Sequence, residues 1–243
     1  MLKNVFLVLL FLLSFQVMTL RAQDTPIEYG QFVTGEITNR EFEVSYTFTG
    51  DAGQVVVIEM KPVDTLGDLN SPELLLIDAE GQLISSTVRT LSVLQAVLVA
   101  ELPANGEYII IATRRDGRAG DSVGEYTLEL ILAEQLMAGE ALAGQLSSEG
   151  RSQYYSVNSE REFQIQYQKT SDGELSPQIT VNLINEDGID EVASVEGDSL
   201  SIALLGNFAP AAPYLIIVGR PLFYFSINEE LADYELTFIQ IDA

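Results

Sequence analysis

The chain has 243 residues, with 36 acidic against 12 basic side chains, a formal net charge of −24, and neither histidine nor cysteine. Without histidine it holds no Ser-His-Asp or Cys-His machinery and no histidine-ligated metal site; without cysteine it has no thiol nucleophile, thiolate zinc site or disulfide. So acidic a chain repels nucleic acid and anionic lipid and favours divalent cations and basic partners.

Residues 1–22, MLKNVFLVLLFLLSFQVMTLRA, carry an early lysine, an apolar core from Val5 to Phe15, and small and polar residues up to Ala22. This is the layout of a secretory signal peptide cut after Ala22, and its apolar core is shorter than the roughly 20 residues of a spanning helix. Losing Lys3 and Arg21 takes the net charge from −24 to −26. No cysteine follows to take a lipid. The expectation is an exported protein, secreted or in the cell envelope, with no membrane insertion after cleavage and an ordinary hydrophobic core in place of disulfides.

Beyond that segment the apolar residues alternate. In FEVSYTF, Phe42, Val44, Tyr46 and Phe48 share one face and Glu43, Ser45 and Thr47 the other, the pattern of a half-buried strand. Further strands are predicted at 54–60, 73–77, 82–87, 95–102, 107–112 and 125–132, separated by Gly, Asp, Asn and Pro clusters. LLLIDAEGQLIS then reads as strand, Asp-Ala-Glu-Gly turn, strand.

The same signals run a second time. GQFVTGEI at Gly30 is matched by GEALAGQL at Gly139, YTF at Tyr46 by YSV at Tyr155, and SPELLLIDAEG at Ser71 by SPQITVNLINEDG at Ser176. LPANGEYIIIA at Leu102 is matched by FAPAAPYLIIV at Phe208, and GEYTLEL at Gly124 by ADYELTF at Ala232. The offsets stay between 105 and 109. The prediction is all-β: two tandem antiparallel β-sandwiches, jelly-roll-like, at 23–133 and 134–243.

In their order, GQFVTGEI, YTF, AGQVVVI, DLNSPELLL, DAEG, LPANGEYII and GEYTLEL resemble the bacterial pre-peptidase C-terminal (PPC) domain. The second copy departs in its middle, where Pro213 precedes Tyr214. The resemblance implies a β-sandwich found beside secreted peptidases, in some members with bound calcium, and it implies no catalysis.

Calcium needs six to eight oxygens, and Asp64, Asp68, Asn70 and Asp78 lie in one segment of the first copy, with Asp68 and Asn70 the leading candidates. Turns select the same residue types, and no twelve-residue calcium loop is present. TRRDGRAGD brings Arg114, Arg115 and Arg118 into one loop, suited to a carboxylate or sulfate on a partner, or simply to offsetting the acidic surface. In the equivalent loop, GRPLFYFSINEE, Arg220 precedes Phe223, Tyr224 and Phe225; strand alternation would leave Tyr224 outward. The functional expectation is a secreted, non-catalytic binding or adhesion module for an extracellular protein or polysaccharide, calcium being the one cofactor considered. The alternative is a structural spacer or accessory to a separate secreted enzyme; a carboxylate-dependent hydrolase ranks last.

Overall fold

The protein is described here from a computed structural model over residues 25–64, 67–87, 95–146, 152–172, 177–185, 188–204, 212–219 and 232–241; the expected signal segment, Arg220 and Tyr224 lie outside the described residues. The first repeat contributes β1 (Thr25–Pro26), β2 (Phe32–Ile37), β3 (Glu43–Gly50), β4 (Val55–Pro62), β5 (Pro72–Asp78), β6 (Leu83–Ser86), β7 (Ala96–Glu101), β8 (Gly106–Arg114) and β9 (Gly124–Leu132). The second contributes β10 (Glu134–Gln135), β11 (Ala141–Leu146), β12 (Gln153–Ser159), β13 (Phe163–Lys169), β14 (Gln178–Asn185), β15 (Gly188–Glu196), β16 (Ser199–Leu204), β17 (Ala212–Gly219) and β18 (Ala232–Gln240). Among the described residues no helix is long and apolar enough to cross a membrane.

These strands form four sheets: I, in the order β1-β3-β8-β5-β6; II, β2-β9-β4-β7; III, β10-β12-β17-β14-β15; and IV, β11-β18-β13-β16. Adding nine to each strand number of sheets I and II gives sheets III and IV, so the duplicated sequence builds one topology twice. Pairing is antiparallel except where the short strands β1 and β10 run parallel to β3 and β12.

Alternation fixes which face each sheet buries. Tyr46, Phe48, Leu74, Leu76, Tyr108 and Ile110 of sheet I meet Val56, Ile58, Met60, Tyr126 and Leu128 of sheet II in the first core. Tyr155, Val157, Ile179 and Ile216 of sheet III meet Phe163, Ile165, Leu236 and Phe238 of sheet IV in the second. A third apolar layer lies between the sandwiches: Val55, Val57, Val99 and Ala133 against Ile184 and Leu215, with Ile131, Tyr154, Ile189 and Ile217 partly buried at its margin. The sheets therefore stack as I, II, III, IV. At the edge of the third layer the Tyr154 hydroxyl donates to Glu59 Oε1, while Glu59 Oε2 pairs with Lys61. Burial, then the Glu59 charge, hold the Tyr154 phenol well above its ordinary range.

In each core two buried tyrosines meet hydroxyl to hydroxyl, at equivalent positions. Tyr46 Oη lies 2.8 Å from Tyr126 Oη, and Tyr155 Oη lies 2.7 Å from Tyr234 Oη. The glycine of each opening motif makes room for it. Gly35 pairs with Tyr126 and Gly144 with Tyr234 across the strands, and a Cβ would sit 2.4 Å or 2.3 Å from the ring. A single methyl group at either site would displace a ring from a close-packed core.

Burial raises Tyr126 and Tyr234 above the usual tyrosine value near 10, the partner phenols adding to it. The native pairs stay protonated, while the unfolded chain loses these protons above about pH 10, so stability complete below that pH falls as pH rises beyond it. Urea denaturation from about pH 8 to about pH 11.5 should show a falling midpoint above about pH 10, with phenolate absorbance rising together with loss of sheet circular dichroism. Full phenolate absorbance from a chain with intact sheet signal would contradict the burial of these pairs.

Candidate functional site

Apart from Asp78, the candidate residues of the first repeat gather at one end of the first sandwich, and the organiser there is Arg114. On β8 it follows Tyr108, Ile110 and Ala112 in the inward register, so its side chain enters the protein and is only 1% exposed. Its Nε donates to the Gly117 carbonyl (2.9 Å), and Nη1 donates to Asn39 Oδ1 (3.0 Å) and the Ser122 carbonyl (2.9 Å). The loop closes through a short 3-10 turn at Gly117–Ala119, entered by Asp116 at φ 62° and Gly117 at φ 47°. Asp and Gly tolerate this left-handed backbone, which is why DG stands at the corner.

Ser122 ties this loop to the β4–β5 connection: its hydroxyl donates to the Asp68 carbonyl (3.0 Å) and accepts from the Asn70 amide (2.9 Å). Arg114 and Ser122 thus hold three loops together, those between β2 and β3, β4 and β5, and β8 and β9. Between them opens a cleft of about 480 Å³, whose walls include Glu36, Asn39, Asp64, Asp68 and Glu125 and whose lining also includes the buried Leu69. The carboxylate-bearing residues are all exposed. Glu36 and Glu125 face each other across β2 and β9, a like-charge pair that isolated strands disfavour and that a cationic occupant would relieve.

The structure separates residues that the sequence placed together. Asp64 and Asp68 line the cleft and Asn70 adjoins it, but Asp78 stands at the far end of β5, opposite Tyr108, whereas Pro72 is opposite Arg114. Six strand positions put Asp78 about 20 Å away. Its Oδ1 accepts from the Gln82 amide (2.7 Å) and its carbonyl accepts from the Gly81 amide (3.0 Å), so Asp78 closes the β5–β6 turn and does not join the others. Among the described residues no group of three or more acidic side chains converges as metal ligands do.

The arginines divide likewise. Arg114 is an internal brace, which corrects its assignment to a partner surface: a guanidinium with three internal bonds and no exposed face has nothing to offer a ligand. Arg115 and Arg118 are exposed, Arg115 Nε lying 3.9 Å from Glu73 Oε1, a surface pairing of small energetic weight. Sequence reading missed Glu36, Asn39, Ser122 and Glu125. The parity of β8 already marked Arg114 as inward, and that signal was available.

A second recess, of about 580 Å³, lies where the sandwiches meet, with Leu83, Ser85, Glu101, Asn185 and Pro213 in its lining. Burial pushes the Glu101 carboxyl up.

No family model matches the chain, and no curated protein matches it. Among solved structures, the CUB1-EGF-CUB2 domain of human MASP-1/3 aligns at 9% identity over 85% of this chain and 99% of that one, with a TM-score of 0.23. PNGase F, a glycosylasparaginase from Flavobacterium meningosepticum, aligns at 8% identity over 87% and 100%, with a TM-score of 0.25. The ANXUR2 extracellular domain from Arabidopsis thaliana aligns at 8% identity over 86% and 83%, with a TM-score of 0.28. Similarity at this level assigns no activity to the chain.

The two arginines predict opposite outcomes. Arg114→Met leaves three internal acceptors without a donor and should cost about 2–4 kcal/mol in urea unfolding. Arg115→Ala should stay within about 0.5 kcal/mol of the parent. Equal effects of the two substitutions would refute the brace.

Proposed function

We propose that this chain is an exported, non-catalytic binding module that holds a basic segment of an extracellular protein in the cleft at the loop end of its first sandwich. The observation that carries this reading is the convergence of Glu36, Asp64, Asp68 and Glu125 in one cleft that also includes the apolar Leu69. Carboxylates around an apolar surface suit a lysine or arginine side chain, whose stem is apolar and whose head is cationic. The overall charge of −24 draws such a partner in. The order of motifs adds the reading of both repeats as PPC-like domains, modules that accompany exported enzymes.

Two other occupants compete for the same place. Calcium on Asp64, Asp68 and Asn70 would raise the melting temperature in millimolar calcium, since an ion that binds the native state alone stabilises it. An amino-sugar polymer would present the same cations on a polysaccharide. The buried layer between the sandwiches favours one further reading, a stiff spacer serving a separate enzyme, in which the cleft binds nothing.

Interferometry with an immobilised lysine-rich peptide, run beside chitosan and a calcium melt, separates these readings. The combined Glu36→Gln and Asp68→Asn substitutions should weaken peptide binding about threefold to tenfold at moderate salt, as the loss of two partly screened charges implies. Peptide affinity unchanged by the substitutions would overturn the reading. So would retention by chitosan alone, or a calcium-dependent melt abolished by Asp68→Asn without peptide binding.

A further inference from the structure

The outer face of sheet I carries an aliphatic patch that belongs to none of the three apolar layers. Leu75 pairs with Ile111 and Ile77 with Ile109 between β5 and β8, and Leu83 lies opposite Ile77 on β6. Ile109 is 4% exposed, Leu75, Ile77 and Ile111 are half-buried, and Leu83 is 55% exposed. The duplication shows what such a face does elsewhere in the molecule. Leu215 and Ile217, 106 positions after Ile109 and Ile111, occupy the same places on β17, and there the face is covered by the valines of sheet II. One copy of the face is docked; the other, among the described residues, joins no apolar layer.

Another molecule cannot cover it by repeating the internal contact. The face of sheet IV that corresponds to the valine face of sheet II presents Gln164, Gln166, Gln168, Ser201, Glu235 and Thr237 beside Ala203 and Ile239, so the contact would bury polar groups against aliphatic ones. The aliphatic surface that fits is the patch itself, and its charges are arranged for self-pairing. Glu107, near the start of β8, and Arg115, the residue after its end, flank Ile109 and Ile111, eight positions or about 27 Å apart, with Ile111 midway. The contact of Arg115 with Glu73 of β5 places it on this outer side. A two-fold axis lying in the plane of the face and across the strands sets Ile111 against its own copy and Arg115 of each molecule over Glu107 of the other.

We propose that a second copy of this chain docks on the outer face of sheet I, giving a face-to-face dimer of two four-sheet stacks. It is independent of the cleft, which lies at the loop end of the sandwich. The test is sedimentation equilibrium of the whole protein from about 1 to 100 µM at moderate salt. The parent should sediment as a dimer. Ile111→Lys should weaken the dimer at least about thirtyfold, as expected for a central anchor, with an unchanged melting temperature for the monomer. Glu107→Arg and Arg115→Glu should each weaken it, and the two together should restore it. A monomer at every concentration, a dimer indifferent to Ile111→Lys, or a double charge swap no better than either single one overturns the proposal; the first outcome leaves the face to a different partner.

Discussion

The arrangement of the molecule depends on β4 being buried on both sides. Val56, Ile58 and Met60 point into the first core, while Val55 and Val57 point away from it into the layer shared with the second sandwich. A strand with both faces covered reads as an unbroken apolar run, and VVVI at 55–58 is such a run. Fully burying an aliphatic side chain contributes about 1.5–3 kcal/mol, so Val55, Val57, Val99, Ile184 and Leu215 together outweigh what ordering a short connection costs. Tyr154 and Glu59 add direction to that contact, since a buried phenol must find its acceptor. The result is a single four-sheet stack in which one sandwich fixes the position of the other.

Duplication alone would not produce this. Both repeats keep the nine-strand plan, the tyrosine pair and the glycine beneath it, which are demands of the core. One pair of outer faces has diverged, valine on sheet II against glutamine and serine on its counterpart sheet IV, while sheets I and III both keep leucine and isoleucine. One contact is thereby satisfied within the chain, and the face of sheet IV that would repeat it head to tail is mainly polar. Within the first sandwich, the loop cleft is held by side chains that serve no ligand. Arg114 and Ser122 use their bonding capacity internally, leaving Glu36, Asp64, Asp68 and Glu125 facing outward.

Much of the fold was legible because period-two alternation and a constant repeat offset are strong, local signals. The strand predicted at 125–132 forms at 124–132, and that at 107–112 forms at 106–114. The site was less legible because loops meet in space through contacts that no spacing announces. Glu36 and Glu125 are 89 positions apart and become neighbours only through the β2–β9 register. Asp68 and Asp78, ten positions apart, are driven to opposite ends of a strand. Arg114 looked like a loop residue beside Arg115, yet one step of alternation separates an internal brace from a surface charge.

Joined through the layer around Val57, the two sandwiches should unfold as one cooperative body. Differential scanning calorimetry of the parent and of Val57→Lys reads this cooperativity. The parent should show one transition, with equal calorimetric and van't Hoff enthalpies, and the variant two separated transitions once a lysine is forced between sheets II and III. Two independent transitions in the parent, or a single undisturbed one in the variant, would contradict it.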